Sequence, residues 1–193
     1  MKIVEVTDKK KFYSKLFLYK TFLYRNVEFN TNINDEELKE IIKAINIKKN
    51  SNRIVYIYDY CCSYIDEFYK GKNLCEFKDS VCISHQSANC KYKNGCCRMC
   101  LYQSEKGCQT SNLTCKLFYC SKVKEKWETK SYKDLRMLNL LTWRQRLIVK
   151  DNFFASREEY IEELKTGLIT LYAIKTVIRL IKMLIKYFKN VKK

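Results

Sequence analysis

The apolar positions of this chain change rhythm several times, and each change predicts an element. Residues 2–6 read as a short strand. Thr7 or Asp8 stands where a helix cap is needed. Across residues 11–25, Phe12, Leu16, Tyr19, Leu23 and Tyr24 fall at three- and four-residue steps, the period of an amphipathic helix. Phe17, Leu18 and Phe22 widen that face and imply burial on more than one side. Residues 26–34 read as a polar break, with Asn30-Thr31-Asn32 as a turn signal. Asn34 followed by Glu37 resembles a capping box for a helix over 35–48, whose stripe is Leu38, Ile41, Ile42 and Ile45. Residues 48–52 read as a loop. Residues 53–58 alternate and are rich in β-branched and aromatic side chains, which predicts a strand. A short helix over 59–70, ended by Gly71, completes the N-terminal part.

From residue 72 to 120 no helical or strand period is sustained. Beyond it the pattern turns helical. Residues 123–130 lead into 132–150, where Leu135, Leu138, Leu141, Leu147 and Ile148 are apolar anchors around Trp143. Asp151-Asn152 marks a break, and Ser156 with Glu159 forms a capping box that starts a helix over 157–165. The paired acids Glu158-Glu159 and Glu162-Glu163 read as the solvated face of that helix. Gly167 precedes a last helix over 168–193. There Lys175, Arg179, Lys182, Lys186, Lys189 and Lys193 recur every three or four residues as one cationic stripe, and nearly everything else is apolar. An apolar arc wider than half the circumference is what burial on two sides predicts, so the helix reads as core with one solvated edge. An interfacial membrane helix or a partner-binding helix is the other reading of the same pattern. No uncharged apolar run is long enough to span a bilayer.

These elements predict an α+β, predominantly helical fold: an α/β part over 1–71, an irregular cysteine-rich metal-binding insert over 72–122 and C-terminal helices over 123–193, together one compact domain.

The middle segment brings in chemistry. It holds Cys75, Cys82, Cys90, Cys96, Cys97, Cys100, Cys108, Cys115 and Cys120, nine of the eleven cysteines, together with His85, the only histidine. The first residues, M-K-I-V-E-V-T-D-K-K, contain no apolar signal region, so a reducing, cytoplasmic setting is expected, in which clustered cysteines serve metals more often than disulfides. Thiolates suit zinc or an iron–sulfur cluster. Cys97-Arg98-Met99-Cys100 is the one C-x2-C pair, and Cys82-Ile83-Ser84-His85 repeats its spacing with an imidazole. Ten candidate ligands are enough for two four-coordinate zinc sites. One grouping places Cys97, Cys100, Cys115 and Cys120 on one ion, with Cys75, Cys82, Cys90 and Cys96 (or His85, or Cys108) on the other; interleaved pairing is the alternative. A [4Fe–4S] cluster is the alternative cofactor. Cys61 and Cys62, adjacent on a predicted helix, point about 100° apart and read as core.

Asn94-Gly95-Cys96-Cys97 and its flanking cysteines resemble the G-x-C-C centre of the YkgJ-type cysteine-cluster proteins, and the segment from Asn73 to Cys120 is similar to cysteine-rich segments of clostridial proteins. The resemblance covers about residues 70–122. It departs from the family pattern in lacking the C-x2-C lead-in, since Cys90 stands six residues before Cys96. It implies chelation of zinc or iron and no defined reaction.

Charge changes the picture last. Thirty-eight Lys and Arg against 21 Asp and Glu give a formal net charge of +17, which favours nucleic acid, an anionic membrane surface or another acidic partner. The lysines are spread along the chain, and abundant Lys, Asn, Ile and Tyr with no Pro give the charge a compositional origin as well. There is no Gly-rich phosphate loop, no H-E-x-x-H and no G-x-S-x-G. Asn112-Leu113-Thr114 matches a glycosylation sequon by chance. The functional expectation is therefore a metal-binding protein with structural zinc and a binding or regulatory role through its basic surface. An iron–sulfur redox protein, or a membrane-surface or partner-docking protein using residues 168–193, is the alternative.

Overall fold

The computed structural model describes residues 2–23, 26–78, 81–82, 103–104, 107–108 and 112–191. Strand β1 (Lys2–Glu5) pairs in parallel with β2 (Val27–Asn30), with Lys2 opposite Val27 and Glu5 opposite Asn30. A parallel pair needs a crossover. It is supplied by helix α1 (Lys9–Leu18), which runs on into a π-helical turn, Tyr19–Leu23. Asp8 caps α1, its carboxylate accepting the Lys11 backbone N–H at 2.9 Å. Strand β2 falls where the sequence reads as a polar break. Its two inward residues, Val27 and Phe29, are buried between polar neighbours, too short an alternation to stand out. Phe17 and Leu18 correct a second expectation: they are 66% and 49% exposed, so only one side of α1 is covered.

Helix α2 (Glu36–Asn46) starts one residue later than the sequence suggests, with Asp35 as the cap, accepting from the Leu38 N–H at 2.8 Å. Helix α3 (Asn50–Phe68) replaces the predicted loop, strand and short helix with one 19-residue element. The alternation over 53–58 is part of a longer period. Ile54, Ile57, Tyr58, Cys61, Cys62 and Ile65 are spaced by three and four residues and form the buried stripe. Cys61 and Cys62 are core, as expected. Burial raises the Cys61 thiol well above its ordinary range and pushes Cys62 up to about 12, so both remain protonated.

Two short antiparallel pairs follow, β3 (Phe77–Lys78) with β4 (Val81–Cys82) and β5 (Gln103–Ser104) with β6 (Gly107–Cys108). Helices α4 (Leu113–Lys116) and α5 (Ser121–Lys126) come next. The continuous helix expected over 132–150 is instead two 3₁₀ turns, Tyr132–Asp134 and Arg136–Leu140, and a short α6 (Trp143–Asp151). Thr142 restarts the helix through a capping box with Gln145. Leu135, Leu138, Leu141 and Ile148 are buried as expected, whereas Trp143 and Leu147 are exposed. The predicted box at Ser156 and Glu159 opens α7 (Arg157–Thr166), and Gly167 ends it at φ 60°, a left-handed conformation that favours glycine.

One apolar core runs from Val6 to Leu164, taking in α1, α2, α3, α4, the second 3₁₀ turn, α6 and α7. Arg157 of α7 grips Asp59 of α3 with two parallel bonds of 2.9 and 2.6 Å. Asn112, fully buried, donates to the carbonyls of Asn152 (2.7 Å) and Ala155 (3.0 Å).

Helix α8 (Ile169–Val191) is held differently. Its Arg179 enters the core edge and donates to Glu163 at 2.8 Å and to the Asn152 side chain at 2.7 Å. Asn152 donates in turn to Glu163 at 2.6 Å. Glu163, read from sequence as solvated, is 1% exposed, and Arg179, read as part of a solvated stripe, is 8% exposed. Met183 is buried as well, but Ile174, Val177, Ile178, Leu180, Ile181, Leu184, Ile185 and Phe188 are exposed. The expectation of a helix packed on two sides is therefore corrected: α8 docks along one narrow line.

The molecule is mostly helical, with a small parallel sheet at its N-terminus and helices at its C-terminus. The fold class is corrected in one respect. Among the described residues, no group of three or more His, Cys, Asp or Glu could hold a metal ion, so no cysteine-based metal-binding insert is found.

Candidate functional site

The described members of the predicted ligand set lie in different elements. Cys75 lies in the turn after α3, Cys82 in β4, Cys108 in β6, Cys115 within α4 and Cys120 at the cap of α5. His85, Cys90, Cys96, Cys97 and Cys100 lie outside the described residues, as does the Asn94–Cys97 centre of the family resemblance. A metal needs its ligands at one point, and the described residues bring no three together. This corrects the expected structural zinc and the [4Fe–4S] alternative alike, and with them the reading of the chain as a zinc or iron–sulfur protein. Leu113 and Thr114 of α4 are buried, and the Thr114 hydroxyl lies 2.7 Å from the Val149 carbonyl and 2.8 Å from the Tyr160 hydroxyl. Packing and hydrogen bonds hold α4 to α6 and α7.

The chemistry that does converge is cationic. A groove of about 850 Å³ opens between α1 with its π turn and the segment that runs from the first 3₁₀ turn into α6. One wall carries Lys9, Lys10, Tyr13, Leu16, Phe17 and Lys20; the other carries Lys133, Arg136, Asn139 and Arg146. The first set repeats every three or four residues, which puts it on one face of the helix. Six of the ten lining residues are cations and none is a carboxylate. The volume lies in the range of small-ligand sites, about 300–1,000 Å³.

Two acids stand behind the wall. Asp35 pairs with Lys9, and Glu37 approaches Arg136 at 3.4 Å. Lys9 and the Leu38 amide hold the Asp35 carboxyl below its ordinary range. Among the described residues no carboxylate pairs with Lys10, Lys133 or Arg146. Lys20 spans the groove floor and donates to the carbonyls of Asn139 (2.7 Å) and Leu141 (2.9 Å). Burial first, and then the nearby Arg146, lower its pKa from the ordinary lysine value. An anion in the groove would relieve this crowding of positive charge.

Tyr13 is pushed up to about 12, by burial first and then by Glu37, so it stays a neutral phenol. Its hydroxyl is buried with no partner in hydrogen-bonding geometry, and the Arg136 guanidinium lies 5.3 Å from its ring centre. Phe17 is a large aromatic exposed in the groove, with the Lys20 ammonium 5.9 Å from its ring centre. Trp143, 59% exposed, sits three residues before Arg146 on α6 and therefore on the same side of that helix. Sequence reading did not find this site. Its cations come from segments more than a hundred residues apart, and the one available signal was the net charge. Exposed Phe17 and Trp143 were assigned to core because their types and spacing fit it.

Set against known proteins, the chain matches no family model, no curated protein and no solved structure.

Proposed function

We propose that this protein binds a single-stranded nucleic acid in the groove between α1 and the segment leading into α6. The reading rests on one observation: six cations, no carboxylate and an exposed aromatic line a single open groove. Lysine and arginine neutralise phosphates and release counterions, which supplies affinity without sequence preference. Exposed aromatic rings add stacking surfaces, each worth about 1–3 kcal/mol per base. Phe17 is such a ring inside the groove, and Trp143 continues the surface past Arg146. A lone phosphate would need neither, and a duplex would bury no aromatic ring.

The test is fluorescence anisotropy with short labelled RNA and DNA, single- and double-stranded, across a salt series. Single strands bind more tightly than duplexes of the same length, and the logarithm of the association constant falls by roughly 0.7 for each phosphate contact per logarithm of salt. Lys10→Gln with Lys133→Gln flattens that slope, since both side chains are exposed and neither supports the core. Phe17→Ala weakens binding and leaves the slope unchanged. Equal slopes in wild type and the lysine double variant would remove the groove from the mechanism.

A further inference from the structure

Helix α8 carries a second surface, independent of the groove. At 100° per residue, Ile174, Val177, Ile181, Leu184, Ile185 and Phe188 fall within an arc of about 120° centred on Ile181, and all six are exposed. Arg179 and Met183, buried among the described residues of the helix, lie on the opposite side. The apolar arc therefore points away from the other described residues. Lys182, Lys186 and Lys189 lie between the two, along one flank of the arc. No Asp or Glu occurs between residues 168 and 193. With 23 residues the helix is roughly 35 Å long, yet no helix of the described residues is long and apolar enough to cross a membrane.

We infer that α8 docks this protein on an anionic lipid surface, lying flat with the Ile181 arc among the outer acyl carbons. Charge decides between the occupants that could cover such an arc. A second copy would bring together two chains of formal net charge +17, and two helices without an acid between them. A negatively charged bilayer meets the same helix with the opposite sign. The flanking lysines stand at the height of the headgroups when the arc is submerged, and their long stems let the ammonium groups reach phosphate while the methylenes stay in apolar surroundings. The anchor at Arg179 and Glu163 fixes the helix from behind, so it is presented already folded and its ordering adds little cost on binding.

Co-sedimentation of the full chain with vesicles tests this, using phosphatidylcholine alone and phosphatidylcholine mixed with phosphatidylglycerol. The expected result is strong binding to the mixed vesicles, weaker binding to the neutral ones and loss of the difference at high salt. Ile181→Asp with Ile185→Asp lowers binding tenfold or more, while thermal unfolding stays near that of the wild type because both side chains are exposed. Lys182→Gln and Lys186→Gln each lower binding to the anionic vesicles about fivefold and leave binding to the neutral ones unchanged. Three outcomes would overturn the inference: no vesicle binding by the wild type; a dimer in sedimentation velocity that Ile181→Asp dissociates; or vesicle binding that disappears in the Lys10→Gln, Lys133→Gln protein and persists in the Ile181→Asp, Ile185→Asp protein. The last would transfer lipid binding to the groove. Nucleic-acid binding measured on the same α8 variants stays at the wild-type level, so failure on one surface is distinguishable from failure on the other.

Discussion

Helices α3 and α8 are the two longest of the described residues, at 19 and 23 residues, and both are rich in isoleucine and tyrosine. Their environments are opposite. Along α3 the stripe from Ile54 to Ile65 is covered by α2, α4, α7 and the second 3₁₀ turn. Along α8 an apolar arc of similar width is exposed, and the helix is held by buried Arg179 and Met183 and by Tyr172, which packs against the core. The width of an apolar face measures how much a helix can bury; it does not say what buries it. The stripe of α3 is core because α2, α4, α7 and the second 3₁₀ turn pack on it. The arc of α8 meets no partner among the described residues.

The contrast is sharpest at the anchor. Arg179→Ala removes one member of a buried pair and leaves the Glu163 carboxylate in the core edge without its main donor. The expected destabilisation is about 3–5 kcal/mol in urea unfolding. Adding Glu163→Gln to that variant recovers part of the loss, and the double-mutant cycle measures the coupling. A near-zero effect of Arg179→Ala would mean that α8 contributes nothing to the stability of the core.

Ile57→Ala in α3 opens a cavity at a site only 1% exposed, and about 2–5 kcal/mol is expected by the same measurement. The matched change on the other helix, Ile181→Ala, stays within about 0.5 kcal/mol. Equal effects at the two positions would erase the distinction between the helices.

Smaller effects come from the caps. Asp35→Ala costs about 1 kcal/mol through loss of the Leu38 cap and also breaks the pair with Lys9. Because the folded state holds this carboxyl below its ordinary range, the contribution is present above the unfolded carboxylate pKa and is lost as pH falls through the depressed folded value. The difference between wild type and Asp35→Ala should therefore shrink on acidification. Ser156→Ala, which removes the hydroxyl that accepts the Glu159 backbone N–H in the capping box of α7, costs a similar ~1 kcal/mol.

Much of the fold was legible where one local rule governs. Ser156, Glu159 and Gly167 define α7 through side-chain and backbone bonds made within a few residues of each other, and the sequence carries the whole of that information. Residues 53–58 were misread as a strand because a six-residue window sees alternation, and the helical period of α3 emerges only when Cys61, Cys62 and Ile65 are included. Glu163 shows a different limit. Two adjacent pairs of acids look like a solvated face, yet one of the four is buried by an arginine sixteen residues away. The groove was the least legible feature, because no local pattern marks residues that meet only after folding. The cysteines illustrate the reverse error. Their density promised a common centre, but the described ones are spread over turns, short bridges and helices, and burial keeps Cys61 and Cys62 as neutral thiols.

The lysine that floors the groove also sets a clock on synthesis. Lys20 reaches carbonyls 119 and 121 residues further along the chain, so its two walls cannot meet until Leu141 has been made. At ordinary elongation rates that interval is on the order of 10 s. During it the cations of α1 exist without the opposing wall, and the nascent chain is basic but not yet shaped. The groove is thus acquired well after α1, and the RNA of the ribosome is a polyanion that lies beside the chain during that interval.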